Sequence, residues 1–108
     1  MTRIAFASEE DKGLDSEVSS RFGRAKYFVI VDVENGEVKQ VRAVENPGGA
    51  QPSGAGIKAV QKLVDEKVQA AVAGAFGPNS LSALEELGIK HFELSGIPVR
   101  EALKKIQI

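Results

Sequence analysis

Two kinds of hydrophobic spacing alternate along the chain, and their order predicts its elements. Ile4 to Ala7 is a short continuous apolar run that ends in a polar, acidic stretch, the pattern of a buried strand followed by a loop. Tyr27 to Val33 is rich in β-branched and aromatic residues, and Glu34-Asn35-Gly36-Glu37 follows with a hairpin signal before Val38, Val41 and Val44. These segments predict the second and third strands, paired antiparallel. Alternation slips at Val38-Lys39-Gln40-Val41, so a bulge or a strand start is expected near Lys39.

Spacing then changes from strand to helix. The segment Asn46 to Gly56 is dense in Gly and Pro, and after it Ile57, Val60, Leu63 and Val64 recur at helical intervals, with Ser53 placed to cap the first turn. Gln69 to Gly74 reads as a buried strand of small residues that lets a helix pack close. A second helix starts at about Pro78, turns Leu81, Leu84 and Leu87 inward and stops at Gly88. His91 to Leu94 is a last short strand. Pro98 opens a terminal helix with Val99, Ala102, Leu103 and Ile106 on its apolar side and Lys104 and Lys105 near its negative end. The predicted order is β-β-β-α-β-α-β-α.

The helix after strand three and the helix after strand four must each return the chain to a strand parallel to its predecessor by a right-handed crossover. Strands one, three, four and five then run one way and strand two runs against them, which gives a mixed α/β sheet of order 3-2-1-4-5. Ligands of open sheets bind outside the carboxyl ends of the parallel strands. Four loops meet there: Ser8 to Arg24, Asn46 to Gly56, Gly74 to Asn79 and Ser95 to Ile97. Two of them are glycine-rich and precede helices, so unpaired backbone N–H groups from two helix starts converge on one region and favour an anion. Taken singly, Gly48, Gly49, Gly54, Gly56, Gly74 and Gly77 are explained by turns and close packing. Gly54-Ala55-Gly56-Ile57-Lys58-Ala59 matches the dinucleotide pattern in form, but the next strand ends in Gly74-Ala75 without the acidic residue that would hold a ribose.

Composition removes whole classes of chemistry. The 108 residues suit one domain, residues 1–108, and contain no cysteine, which excludes a disulfide scaffold and a thiolate site. Fourteen Lys and Arg stand against 15 Asp and Glu, so no general attraction to nucleic acid or an anionic membrane exists. No apolar run is long enough for a signal segment or a membrane span, and a cytoplasmic protein is expected. The single histidine, His91, lies at the start of the last strand, on the amino edge, leaving Ser–His catalysis and zinc without a ligand set. Glu9, Glu10, Asp11, Asp15 and Glu17 crowd the first loop, a pattern more typical of a solvated, mobile loop than of a cation site. A nuclease on this sheet order needs carboxylates on the first strand, and Ile4-Ala5-Phe6-Ala7 has none. Arg21, Arg24 and Lys26 flank Phe22-Gly23, and either Arg can bind an anion at the mouth or pair with Asp15 or Glu17. Phe76 is the aromatic residue placed to wall a pocket.

Several stretches together resemble the dinitrogenase iron-molybdenum cofactor biosynthesis family. They are Leu14-Asp15-Ser16-Glu17-Val18-Ser19, Phe22-Gly23-Arg24-Ala25-Lys26-Tyr27-Phe28, Glu45-Asn46-Pro47, Gly54-Ala55-Gly56 and Gly74-Ala75-Phe76-Gly77-Pro78-Asn79, in order along the chain. The resemblance implies a ribonuclease-H-like three-layer α/β fold and a protein that binds or carries the nitrogenase metallocluster or its precursor. Many relatives have a histidine where this chain has Arg21, and another in the loop occupied here by Gly48 to Ser53. With neither present, the implied cargo, iron-molybdenum cofactor or an iron-sulfur precursor cluster, is expected to be held without a bond from the protein to the metal. Backbone N–H groups with Arg21 and Arg24 would hold it.

The reading is thus a non-enzymatic accessory of nitrogen fixation whose ligand is a metallocluster or other small anion. Arg21, Gly23, Arg24, Asn46, Gly54, Gly56, Gly77 and Asn79 are the expected binding residues, with no catalytic or metal-ligating residue. The alternative is a protein-interaction module of the same fold that has lost its cofactor. A metal-dependent nuclease or phosphatase is the third class, and would show divalent-metal-dependent turnover.

Overall fold

The two most apolar runs of the chain lie side by side. In the computed structural model, which describes residues 1–106, Thr2–Ser8 (β1) and Tyr27–Glu34 (β2) pair antiparallel from Thr2 opposite Val33 to Ser8 opposite Tyr27. Glu37–Glu45 (β3) folds back on β2 through Asn35 and Gly36, both at positive φ, as the two-residue hairpin turn requires. The expected bulge is present. Asp32 faces Gln40 but Val33 faces Val38, leaving Lys39 as the extra residue.

Ala55–Asp65 (α1) and Pro78–Glu86 (α2) are the crossovers that bring Ala70–Ala73 (β4) and Lys90–Glu93 (β5) in parallel to β1 and β4. Val99–Lys105 (α3) closes the described chain. The sheet order is β3-β2-β1-β4-β5, as predicted. Two 3-10 turns, Gly13–Asp15 and Pro47–Ala50, were not legible in the spacing.

Helices cover both faces, which is why the central strands read as unbroken apolar runs. Ala5, Ala7, Phe28, Ile30, Ala71 and Ala73 face α1 and α2, whereas Ile4, Phe6, Val29, Val31, Ala70 and Val72 face α3. Alanine dominates β1 and β4 on the first face, so the helices approach closely and Leu63 and Leu84 become fully buried. Each such side chain contributes about 1.5–3 kcal/mol of transfer free energy.

That close approach rotates α1 from its expected orientation. Ala55, Ala59, Val60 and Leu63 make its buried stripe, while Ile57 and Val64 are left 42% and 47% exposed. Leu87, expected inside, is 53% exposed because it caps α2 just before Gly88 turns away at φ 70°. Ser53 does not cap α1: Gly54, at φ 72°, takes the N-cap position, and the helix starts one residue later than expected. Ile106 lies just past the end of α3 and packs on the same face as Val99.

At the amino edge of β1, Arg3 donates to both carboxylate oxygens of buried Asp32 (2.7 and 3.1 Å) and to the Glu66 carbonyl at the end of α1 (2.8 Å). Arg42 and Lys62 close on the Glu66 carboxylate at 2.6 and 3.5 Å. Hydrogen bonding to Arg3 and to Arg42, respectively, holds the Asp32 and Glu66 carboxyls below the ordinary carboxylate range, against the opposing effect of burial.

Candidate functional site

The first loop is a strap across the carboxyl ends of β1 and β4. Ser19 N–H donates to the Ala7 carbonyl (2.7 Å), Gly74 N–H donates to the Ser19 carbonyl (2.9 Å), and Phe22 N–H donates to the Ala75 carbonyl (3.1 Å). Val18 and Phe22 are 1% exposed beneath it. The acidic residues are held as well: Ser19 Oγ donates to Glu9, and the Glu17 N–H donates to Glu10 at 2.8 Å. That backbone bond, followed by the Lys12 ammonium, keeps the Glu10 carboxyl below its usual range. The loop expected to be mobile is therefore anchored through its backbone, a feature that charge counting does not register. Asp15 pairs with Arg100 at 2.9 Å, and among the described residues no ion pair joins Arg21 or Arg24 to Asp15 or Glu17.

Asn46 joins the strap to the glycine-rich segment. Its Nδ2 donates to the Phe22 carbonyl at 3.1 Å and more weakly to the Gly23 carbonyl at 3.4 Å, and its Oδ1 accepts from Gly48 N–H at 3.0 Å. Two glycines make the junction possible. A Cβ on Gly48 would lie 2.3 Å from the Ala55 carbonyl oxygen, and one on Gly56 would lie 2.2 Å from Ser80 Oγ. Because Gly56 is in the first turn of α1 and Ser80 in that of α2, the two helix starts abut.

A cleft of about 430 Å³ opens over this junction. Arg21, Gly23 and Arg24 form one wall, Gly54 and Gly56 another, and Gly77 and Asn79 a third. Phe22, Ile57, Phe76 and Ser80, not among the expected binding residues, also line it. Asn46 does not. It lies buried beneath Gly23 and positions the wall from behind.

Neither helix has a side-chain cap, since both N-cap residues, Gly54 and Gly77, lack one to offer. The first intrahelical bonds run from Lys58 N–H to the Gly54 carbonyl and from Leu81 N–H to the Gly77 carbonyl, so earlier N–H groups have no acceptor within their helices. Gly77 stands apart from the other glycines. Its φ is −72° and nothing lies within 4 Å of a Cβ built on it, so neither backbone nor packing accounts for it.

The arginines differ in freedom. Arg24 donates to the Gln51 carbonyl and, at 3.3 Å, to that of Pro52, tying the glycine-rich segment to the strap. Arg21 is exposed at the mouth. Phe76 stacks on Phe22 at 4.9 Å, and its other side meets the His91 ring edge-on at 5.4 Å. His91 starts on the amino side of β5 as expected, yet its ring leans on the aromatic wall of the cleft.

The cleft is lined by no carboxylate, histidine or cysteine, and among the described residues no group of three or more His, Cys, Asp or Glu side chains converges as a metal site. Its charged side chains are both guanidinium groups, which together with the unpaired N–H groups of the helix starts suit a negatively charged ligand. A larger cleft of about 870 Å³ beyond the Pro47–Ala50 turn has Arg24, Lys26 and Lys62 opposed by Glu9 and Glu45, so its charges largely cancel. No helix among the described residues is long and apolar enough to cross a membrane.

Known proteins are similar to this chain in sequence and in fold. The apo form of the orange protein from Desulfovibrio gigas is 37% identical, with a TM-score of 0.84 over 97% of this chain and 86% of that one. A Thermotoga protein, solved by NMR and described as a candidate NifB protein, is 38% identical with a TM-score of 0.75 over 96% and 85%. An uncharacterized protein of Methanocaldococcus jannaschii is 29% identical over 90 residues, 83% of this chain and 76% of its own. The family model described as dinitrogenase iron-molybdenum cofactor matches residues 1–107, so the chain belongs to that family.

Proposed function

We propose that this chain is a small non-enzymatic carrier or accessory protein of the cytoplasm that holds an anionic metallocluster, iron-molybdenum cofactor or an iron-sulfur precursor, in the glycine-lined cleft. The observation that carries the reading is the meeting of two uncapped helix starts at Gly56 and Ser80, beside an exposed Arg21 and with no acidic side chain in the lining. Backbone N–H groups and partial positive charge from both helices would face the cargo. Arg21 supplies charge at the mouth, Arg24 and Asn46 hold the walls in place, and Gly77 leaves room for close approach. With no thiolate, imidazole or carboxylate in the lining, the cargo is held by hydrogen bonds and charge, which suits a cluster that must be handed on. Membership of the family and the likeness to the orange protein support the reading.

The test is anaerobic titration of isolated iron-molybdenum cofactor into wild-type, Gly77→Glu and Arg21→Glu proteins. Gly77→Glu is the informative variant, because open space surrounds the position and the fold should tolerate it. A loss of about tenfold or more in affinity is expected for it. Equal affinity for all three proteins would remove the cargo from this cleft. Gly56→Glu is a poor probe, since its side chain would strike Ser80 and disturb the fold itself.

A further inference from the structure

The two faces of the sheet are unequally covered: two helices, α1 and α2, pack on one, and among the described residues one short helix, the seven residues of α3, on the other, together with Leu14, Val18, Leu94 and Ile97 from the adjoining loops. On the sparsely covered face, at the end of the molecule opposite the glycine-lined cleft, lies a groove of about 740 Å³. Ile4, Val33 and Val38 form its floor, and Leu14, Leu103 and Ile106 its apolar walls. The bulge at Lys39 shapes this floor. Regular pairing would set Lys39 opposite Val33, whereas the extra residue sets Val38 there, 40% exposed, on the groove face. Arg100 and Lys104 rise from α3 along one side, and among the described residues no acidic one lines the groove. Their surface pairings with Asp15 (2.9 Å) and Glu101 (3.7 Å) are exposed and readily exchanged.

We propose that this groove binds an amphiphilic monoanion, an elongated apolar body with a carboxylate head, the body lying on Ile4, Val33 and Val38 and the head directed to Arg100 and Lys104. The volume and the mostly apolar lining with a few polar groups on one side are those of small-molecule sites. The charged side chains in the described lining are both cations whose acidic partners stand outside it on the exposed surface, which favours an anion over a neutral or cationic amphiphile. This site is independent of the cluster cleft.

The experiment uses the full chain and dodecanoate below its micelle concentration, with dodecylammonium as the charge control, followed by calorimetry and by methyl NMR. Saturable dodecanoate binding that shifts the methyls of Val33, Val38 and Leu103, but not of Val60 and Leu81 on the other face, is the expected result. Val38→Lys, a change at a partly exposed edge position, should weaken binding about tenfold. Lys104→Glu should weaken it about threefold and remove the preference for dodecanoate over dodecylammonium. Absence of saturable binding, equal binding of both amphiphiles by the wild type, or indifference to Val38→Lys would overturn the proposal. Shifts of the groove methyls by an acidic amphipathic peptide and not by dodecanoate would also overturn it, in favour of a protein-docking face.

Discussion

Asn46 offers the sharpest test of how the cleft is held. In Asn46→Ala, Gly48 N–H and the Phe22 carbonyl lose their side-chain partners in a buried position. The bond to Gly23 at 3.4 Å is too long to count for much. Two good bonds contribute about 1 kcal/mol each, and a buried N–H left unpaired adds a penalty of about 1–3 kcal/mol when water cannot reach it. The expected destabilisation is therefore about 3–5 kcal/mol, a large share of the ~5–15 kcal/mol of a whole domain. Urea denaturation followed by circular dichroism measures it as a fall in midpoint at unchanged slope. Asn46→Asp separates the hydrogen bonds from the shape of the side chain. A carboxylate can accept from Gly48 but cannot donate to Phe22, and it sets negative charge against a carbonyl oxygen, so at pH 7 this variant should be no more stable than Asn46→Ala. A cost under about 0.5 kcal/mol for Asn46→Ala, or wild-type stability for Asn46→Asp, would refute the clamp and the amide orientation it assumes.

Two further outcomes follow from the same geometry. Asp32 and Glu66 have carboxyls held below their ordinary range, so the stability they contribute is complete above about pH 4–4.5 and is lost as the pH falls through their lowered values. In acid titrations of stability, the difference between wild type and Asp32→Asn should be full at neutral pH and shrink below about pH 4, and a pH-independent difference would contradict the network. Gly56→Ala should cost about 1–3 kcal/mol through the contact with Ser80 Oγ, and Gly56→Ala with Ser80→Ala should recover part of that, as a thermal-denaturation cycle would show.

The local patterns that were legible share one property: neighbours in sequence settle them. Asn35-Gly36 dictated the hairpin, Gly88 stopped α2 at positive φ, and the slip in alternation at Lys39 marked the bulge. The apolar runs of β1 and β2 showed that both faces of these strands would be covered, and the handedness of crossovers then fixed the sheet order. Seven of the eight expected binding residues line one cleft because that order sends the loops before α1 and α2 to the same edge.

What the sequence could not reveal depended on contacts between distant segments. Ile57 and Val64 fit a helical stripe as well as Ala55 and Ala59 do, and only the alanine-lined sheet face, which admits the helix closest along its own alanines, chose between the stripes. The roles of the glycines divided in the same way. Gly48 and Gly56 are required by atoms 7 and 24 positions along the chain, Ala55 and Ser80, while Gly77 has no such neighbour. Asn46 and Arg24 carried the same polar groups in any reading, but whether those groups face a ligand or the protein's own carbonyls was decided by where the strap crosses the sheet. Periodicity and turn chemistry record what a residue does to its own backbone; which neighbour it meets across the core is set only when the whole chain has closed around it.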